Sequence, residues 1–115
     1  MIFIIEHLDD EVYDWSLLEY KHVSKVVGKD NLWFTNVKDG AMKLRPFGQV
    51  FNESVATMDL QNVCVLDPAA PTLLAPTDKA HFDHVVFGGI LGDNPPRGRT
   101  KVLNTVKNAQ FRNLG

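Results

Sequence analysis

Gly88, Gly89 and Gly92 are followed by Asp93 and then by Arg97 and Arg99 in the stretch FGGILGDNPPRGRT at 87–100. Residues without a Cβ let the backbone turn sharply or lie against a ligand, leaving its N–H and C=O groups free to bond it. The spacing is GGxxG. It is neither the GxGxxG dinucleotide fingerprint nor the GxxxxGK[ST] phosphate loop, and no lysine follows in position to meet a phosphate. Backbone contacts to an adenine-like edge suit this loop better than a triphosphate cradle. A strand-to-helix turn that holds no ligand satisfies the same composition. Asp93, Arg97 and Arg99 either orient a substrate or hold the loop through exposed ion pairs, which contribute only about 0–1 kcal/mol each.

A second carboxylate stands out at Glu6, which ends the apolar run IFII at 2–5. A charge there lies at the mouth of any site built on the end of that strand, although a solvated strand end reads the same way. Asp67, in VCVLDP, is a weaker candidate because Asp-Pro after a strand is also an ordinary turn. Other chemistries find less support. His7, His22, His81 and His84 show neither HxxxH nor HExxH spacing, and no second cysteine joins Cys64 to hold zinc, so no metal is expected. Ser16, Ser24 and Ser54 lie outside any GxSxG context, and Cys64 sits in an apolar run as a small buried residue would. Hydrolase chemistry is set aside.

The elements that must position these residues follow from the apolar pattern. IFII at 2–5, LWF at 32–34, VCVL at 63–66 and HVVFGGI at 84–90 are near-continuous rather than alternating, which is the pattern of strands covered on both faces. Between the first two, acidic residues Asp9, Asp10, Glu11 and Asp14 precede Lys25 and Gly28, an order that complements the helix dipole and supplies a cap. The pattern predicts a helix from about 12 to 27 with Trp15, Leu18, Val23, Val26 and Val27 near its buried face. A short helix is expected around Phe47, Val50 and Phe51, limited by Pro46 and Gly48. One helical turn is expected near 78–82, a last helix over 97–109, and the start of a fifth strand at FRNLG. The order predicts an open, mostly parallel α/β sheet with right-handed crossovers. In such sheets ligands bind at the carboxyl ends of the strands. Those ends carry Glu6 and His7, Thr35 and Asn36, Asp67 and Pro68, and Gly88 to Asp93.

The 115 residues, 44% of them hydrophobic, allow one core and therefore one domain over 1–115. Twelve Lys and Arg against fourteen Asp and Glu leave a net charge of -2, so no general field gathers nucleic acid or anionic lipid. The first apolar run is far shorter than the roughly 20 residues of a membrane span and lacks the features of a secretory signal. With a single cysteine, the chain is expected to be cytoplasmic, in a reducing compartment.

FGGILGDNPPRGRT is more specific than a generic glycine loop. Together with IIEH at 4–7, WSLLEY at 15–20, DNLWFTN at 30–36, VCVLDP at 63–68, FDHVVFGGILGD at 82–93 and RNLG at 112–115, it resembles the SPOUT-class protein arginine methyltransferase family across nearly the whole chain. The resemblance implies a Rossmann-like SPOUT sheet, S-adenosylmethionine as cofactor and an arginine side chain of a protein as acceptor, in a small-subunit ribosomal protein. It implies that Gly88, Gly89, Ile90, Leu91 and Gly92 form one cofactor loop and that Leu114 and Gly115 begin the next. Because a guanidinium acceptor is gripped by carboxylates that take paired hydrogen bonds, Glu6 and Asp93 are the candidates to orient it, Asp67 is a weaker third, and Arg97 is a candidate to pair with the cofactor carboxylate or with Asp93. Family members continue beyond the RNLG position into a knot-forming segment, so the domain is expected to be incomplete at its C-terminus. An RNA methyltransferase and a non-catalytic binding module are the alternatives. Either a monomer or a homodimer fits.

Overall fold

The computed structural model of the chain describes residues 1–8, 11–67, 70–88 and 106–113. Six strands form one sheet: β1 (Ile2–Glu6), β2 (Leu32–Thr35), β3 (Gln49–Val50), β4 (Val63–Leu66), β5 (His84–Gly88) and β6 (Ala109–Arg112). Their spatial order is β3-β2-β1-β5-β4-β6, and every pairing is parallel. Among the described residues the helices are α1 (Asp14–Val27) and the single turn α2 (Ala41–Leu44), and short 3-10 turns occupy Lys29–Asn31, Val55–Thr57 and Pro76–Ala80.

The near-continuous apolar runs mean what their pattern predicts, because neighbouring residues of one strand feed opposite faces. Ile4, Val63, Val65 and Val86 pack with Val55 and Val106 on one face. Ile5, Leu32 and Phe34 pack with Val12, Tyr20, Val37 and Leu44 on the other. Full burial of a side chain such as Phe34, which has no exposed surface, stabilises by about 1.5–3 kcal/mol.

Helix α1 forms where its charge order places it, with Asp14 in the first turn, Lys25 in the last and Gly28 beyond it at φ 94°. Its buried face matches the expected one only in part: Val23 and Val27 are half-buried against the core. Trp15, Leu18 and Val26 are exposed, and the fully buried positions are Ser16, Tyr20 and Ser24, one i, i+4 row. Two small serines let the helix lie close to the layer beneath it. Ser24 donates its hydroxyl proton to the Phe47 carbonyl at 2.6 Å, and Tyr20 packs at a tilt against Phe34 with ring centroids 5.2 Å apart.

Three other expectations are corrected. The short helix precedes Pro46, at Ala41–Leu44, and Val50 belongs to strand β3, because a proline inside a helix would remove a backbone hydrogen bond. Residues 106–109 are not helical: Lys107 and Asn108 form a turn, with Asn108 at φ 61°, and Ala109 already opens β6. Residues 97–105 of that expected helix lie outside the described residues. The expected fifth strand at FRNLG is β6, which starts two residues earlier and pairs Phe111 with Val65 and Arg112 with Leu66.

Strand β6 is tied to the turn at Pro76–Ala80 through Asp78. Its carboxylate accepts the Ala75 backbone N–H at 2.8 Å and lies 3.4 Å from the Arg112 guanidinium. The Ala75 N–H, ahead of Arg112, holds the Asp78 carboxyl below its ordinary 3.8. Because the folded value is the lower one, this contribution is complete above the unfolded pKa and is lost as pH falls through the folded one. Acidification below about pH 4 should therefore lower the protection of the Ala75 amide, taken as its exchange rate relative to that of an unstructured amide at the same pH, before the central strands respond. In Asp78→Asn that early step should vanish; an unchanged acid response in the variant would discard the tie.

Candidate active site

Strand order alone locates a crevice. From β1 the chain crosses to β2 on one side, and beyond β5 it continues to β6 on the other, so the connections leaving these two neighbouring strands diverge. Ligands of open α/β sheets bind at the carboxyl ends of strands at such a switch point. Here the two strand ends are Glu6 and Gly88, paired in register. The first glycine of the GGxxG stretch thus stands beside the carboxylate that ends β1. Gly89, Ile90, Leu91, Gly92, Asp93 and Arg97, like Leu114 and Gly115, lie outside the described residues.

Glu6 is not the solvated strand end that the sequence equally allowed. It has no exposed surface. As the side chain two residues beyond Ile4, it projects from the same face as Ile4, and three donors meet it there. Oε1 accepts the Thr35 hydroxyl proton at 2.5 Å and the Val55 backbone N–H at 2.9 Å, and Oε2 accepts the Ser54 hydroxyl proton. A buried carboxylate is tolerated only when hydrogen bonds replace its hydration, and this donor set does so. Ser54 in turn accepts the Ala56 N–H at 3.1 Å, capping the turn at Val55–Thr57.

The neighbouring strand end is equally constrained. The His7 backbone N–H donates to the Thr35 carbonyl at 2.9 Å, and the Asn36 side chain donates to the His7 carbonyl at 2.8 Å. Asn36 adopts φ 60°, and its backbone N–H donates to Glu53 at 2.7 Å. The segment holding Ser54 is thereby fastened to the end of β2. The His7 ring is buried on the opposite face, with Nε2 2.9 Å from the Glu11 carbonyl and Nδ1 2.8 Å from the Tyr20 hydroxyl. A carbonyl can only accept, so Nε2 carries a proton, and in the neutral ring Nδ1 accepts from Tyr20. His7 is held as a strut between the loop after β1 and helix α1.

Cys64 lies fully buried inside β4, and burial, opposed by Arg112, pushes its thiol up, away from nucleophilic chemistry. Among the described residues, no group of three or more His, Cys, Asp and Glu side chains is placed to hold a metal, and no helix is long and apolar enough to cross a membrane.

The family model described as SFM1-like protein arginine N-methyltransferase matches residues 2–115. The chain belongs to this SFM1-like family. The protein arginine N-methyltransferase SFM1 of Saccharomyces cerevisiae is 38% identical over 92% of the chain, and the chain spans 58% of the length of that protein. Crystal structures of yeast SFM1 complexed with SAH and with SAM each superpose at a TM-score of 0.84 with 34% identity, covering 99% of this chain and 63% and 59% of theirs. A Trm10 structure from Thermococcus kodakaraensis superposes at a TM-score of 0.66 with 15% identity, which extends the likeness in fold alone. The SFM1-like chain therefore has the SPOUT-class α/β fold.

The sequence carries no mark of Ser54 and Val55 as partners of Glu6. A serine ahead of a short turn is a readable cap signal, but nothing in NESVAT points to a carboxylate 48 residues away.

Proposed function

We propose that this SFM1-like chain carries the cofactor-binding part of an S-adenosylmethionine-dependent methyltransferase acting on an arginine of a protein, with a cytoplasmic small-subunit ribosomal protein as the substrate class. The observation that carries this reading is the pairing of Glu6 with Gly88 at the switch point of a sheet whose relatives are solved with SAH and SAM.

The residues suit the group. Gly88 brings backbone without a side chain to the crevice, and Gly89, Ile90, Leu91 and Gly92, with Leu114 and Gly115, supply the stretches that would hold the cofactor. S-adenosylmethionine, when bound, supplies an electrophilic methyl group on a positively charged sulfonium. The acceptor guanidinium is also positive at neutral pH, so bringing the two together requires compensating negative charge. Glu6 provides it from a fixed, buried position, where three donors hold the carboxylate and the surrounding core screens it weakly. Asp93 is assigned to orient the guanidinium through paired hydrogen bonds, and Arg97 to pair with the cofactor carboxylate or with Asp93. Transfer would form the nitrogen–carbon bond as the sulfur–carbon bond breaks, with its electron pair kept by the sulfur of the demethylated product and the nitrogen's proton released to water. Positioning of the two reactants supplies much of the acceleration.

Calorimetric titration with S-adenosylmethionine and its demethylated product, followed by transfer of labelled methyl groups to small-subunit ribosomal proteins, tests the reading. Saturable binding is expected, with label that survives ribonuclease, is lost to protease and is recovered as methylarginine. Label lost to ribonuclease would replace the reading with RNA methylation, and binding of a ribosomal protein without transfer would replace it with a non-catalytic module.

A further inference from the structure

We infer that Ser54 is a positioning residue for methyl transfer, acting through Glu6; this rests on the function proposed above. Ser54 lies outside any nucleophile motif, and its hydroxyl is committed elsewhere. Its oxygen accepts the Ala56 N–H at 3.1 Å, and its proton goes to Glu6 Oε2. Its own carbonyl accepts from both the Thr57 hydroxyl at 2.7 Å and the Thr57 N–H at 3.0 Å. Ser54 is thus fixed on its backbone side and aimed on its hydroxyl side.

The two oxygens of Glu6 are not held alike. Oε1 has two donors, Thr35 and Val55. Ser54 is the one donor to Oε2 among the described residues. A carboxylate pinned at one oxygen alone can rotate about that anchor, and an unpaired buried oxygen draws in water or moves toward it. Ser54 therefore fixes where the negative charge of Glu6 sits relative to Gly88 and the crevice. Thr35 belongs to the sheet itself. Ser54 comes from the segment that covers the face bearing Ile4, so it couples the seating of that segment to the charge at the site.

Ser54 also caps a turn, and the test must separate that role. Glycine is nearly as good an N-cap as serine, whereas alanine is poor. Turnover, KM for the arginine substrate and S-adenosylmethionine affinity are measured in wild type, Ser54→Ala, Ser54→Gly, Ser54→Thr, Glu6→Gln and the double variant Ser54→Ala/Glu6→Gln, with melting curves alongside. Ser54→Ala and Ser54→Gly should each lower kcat by about tenfold, with cofactor affinity changed by less than about twofold. Ser54→Thr, which keeps the hydroxyl, should recover most of the rate. On the Glu6→Gln background, Ser54→Ala should lower kcat no further, because its effect passes through a charge already removed. Losses that multiply in the double variant would overturn the inference, as would a Ser54→Gly enzyme as fast as wild type. A wild type that transfers no methyl group would instead overturn the functional reading and this inference with it, an outcome distinct from an active wild type whose losses multiply.

Discussion

Gly48→Ala should melt more than about 10 °C below the wild type, a large loss of stability for a single added methyl group. A Cβ at position 48 would lie 2.6 Å from the Leu32 carbonyl oxygen and 2.9 Å from the Phe34 ring. Neither neighbour can retreat. Leu32 is paired in register with Phe3 at the start of β2, so moving its carbonyl disturbs the β1–β2 ladder. Phe34 is fully buried and packs on Tyr20 from α1. Overpacking a tight site costs about 1–3 kcal/mol and occasionally more, and a backbone obstacle on one side with a core aromatic on the other puts this position at the upper end. Gly28 provides the contrast. A Cβ there would meet only the Asn31 side-chain nitrogen at 3.2 Å, and the strain comes from φ 94°. Gly28→Ala should therefore melt only a few degrees lower, and thermal scans of the two variants that coincide would show that the Gly48 contact relaxes freely.

How much of this was readable depended on where each residue's partners lay in the chain. The parallel sheet was legible in IFII, LWF, VCVL and HVVFG because a strand covered on both faces leaves a local mark, and Ile4 and Ile5 do feed opposite faces. Strand β3 left no such mark, since two residues, Gln49 and Val50, carry no period. The buried face of α1 was legible only in part, at Val23 and Val27, for a different reason. Apolar periodicity gives weight to Trp15, Leu18 and Val26, whereas the contact with the neighbouring layers selects small size at Ser16 and Ser24 and a long polar reach at Tyr20. The same division applies to the site. That Glu6 ends β1 beside the glycine stretch follows from the local sequence and the topology of open sheets. That it is buried follows from Ser54 and Val55, which the chain delivers from the far side of β2 and β3, and no spacing rule reports that. Family likeness named the chemistry of the glycine loop without giving the surroundings of the carboxylate.

Those surroundings make Glu6→Gln the most informative change to function, and it should lower turnover by about 100-fold or more while S-adenosylmethionine affinity falls much less. The reason is the loss of charge at nearly constant volume. In the function proposed above, two positive groups would meet beside Gly88, the register partner of Glu6, and the buried carboxylate would offset their repulsion in surroundings that screen charge weakly. The amide also meets the wrong partners. Thr35, Ser54 and Val55 all present donors, and a glutamine side chain has one acceptor oxygen and one donor nitrogen. If the oxygen keeps Thr35 and Val55, the nitrogen faces Ser54, whose hydroxyl must reverse and leave its proton unpaired. That mismatch costs about 1–3 kcal/mol of stability, enough to lower the melting temperature but not to prevent folding. Turnover and melting therefore have to be measured on the same samples. A variant with a lower melting temperature but turnover within about tenfold of wild type would leave Glu6 as a tie between β1 and the Ser54 segment, and the compensating charge would have to be sought at Asp93. A normal melting temperature with turnover lost would show that the carboxylate serves the transfer and that the fold can spare its charge.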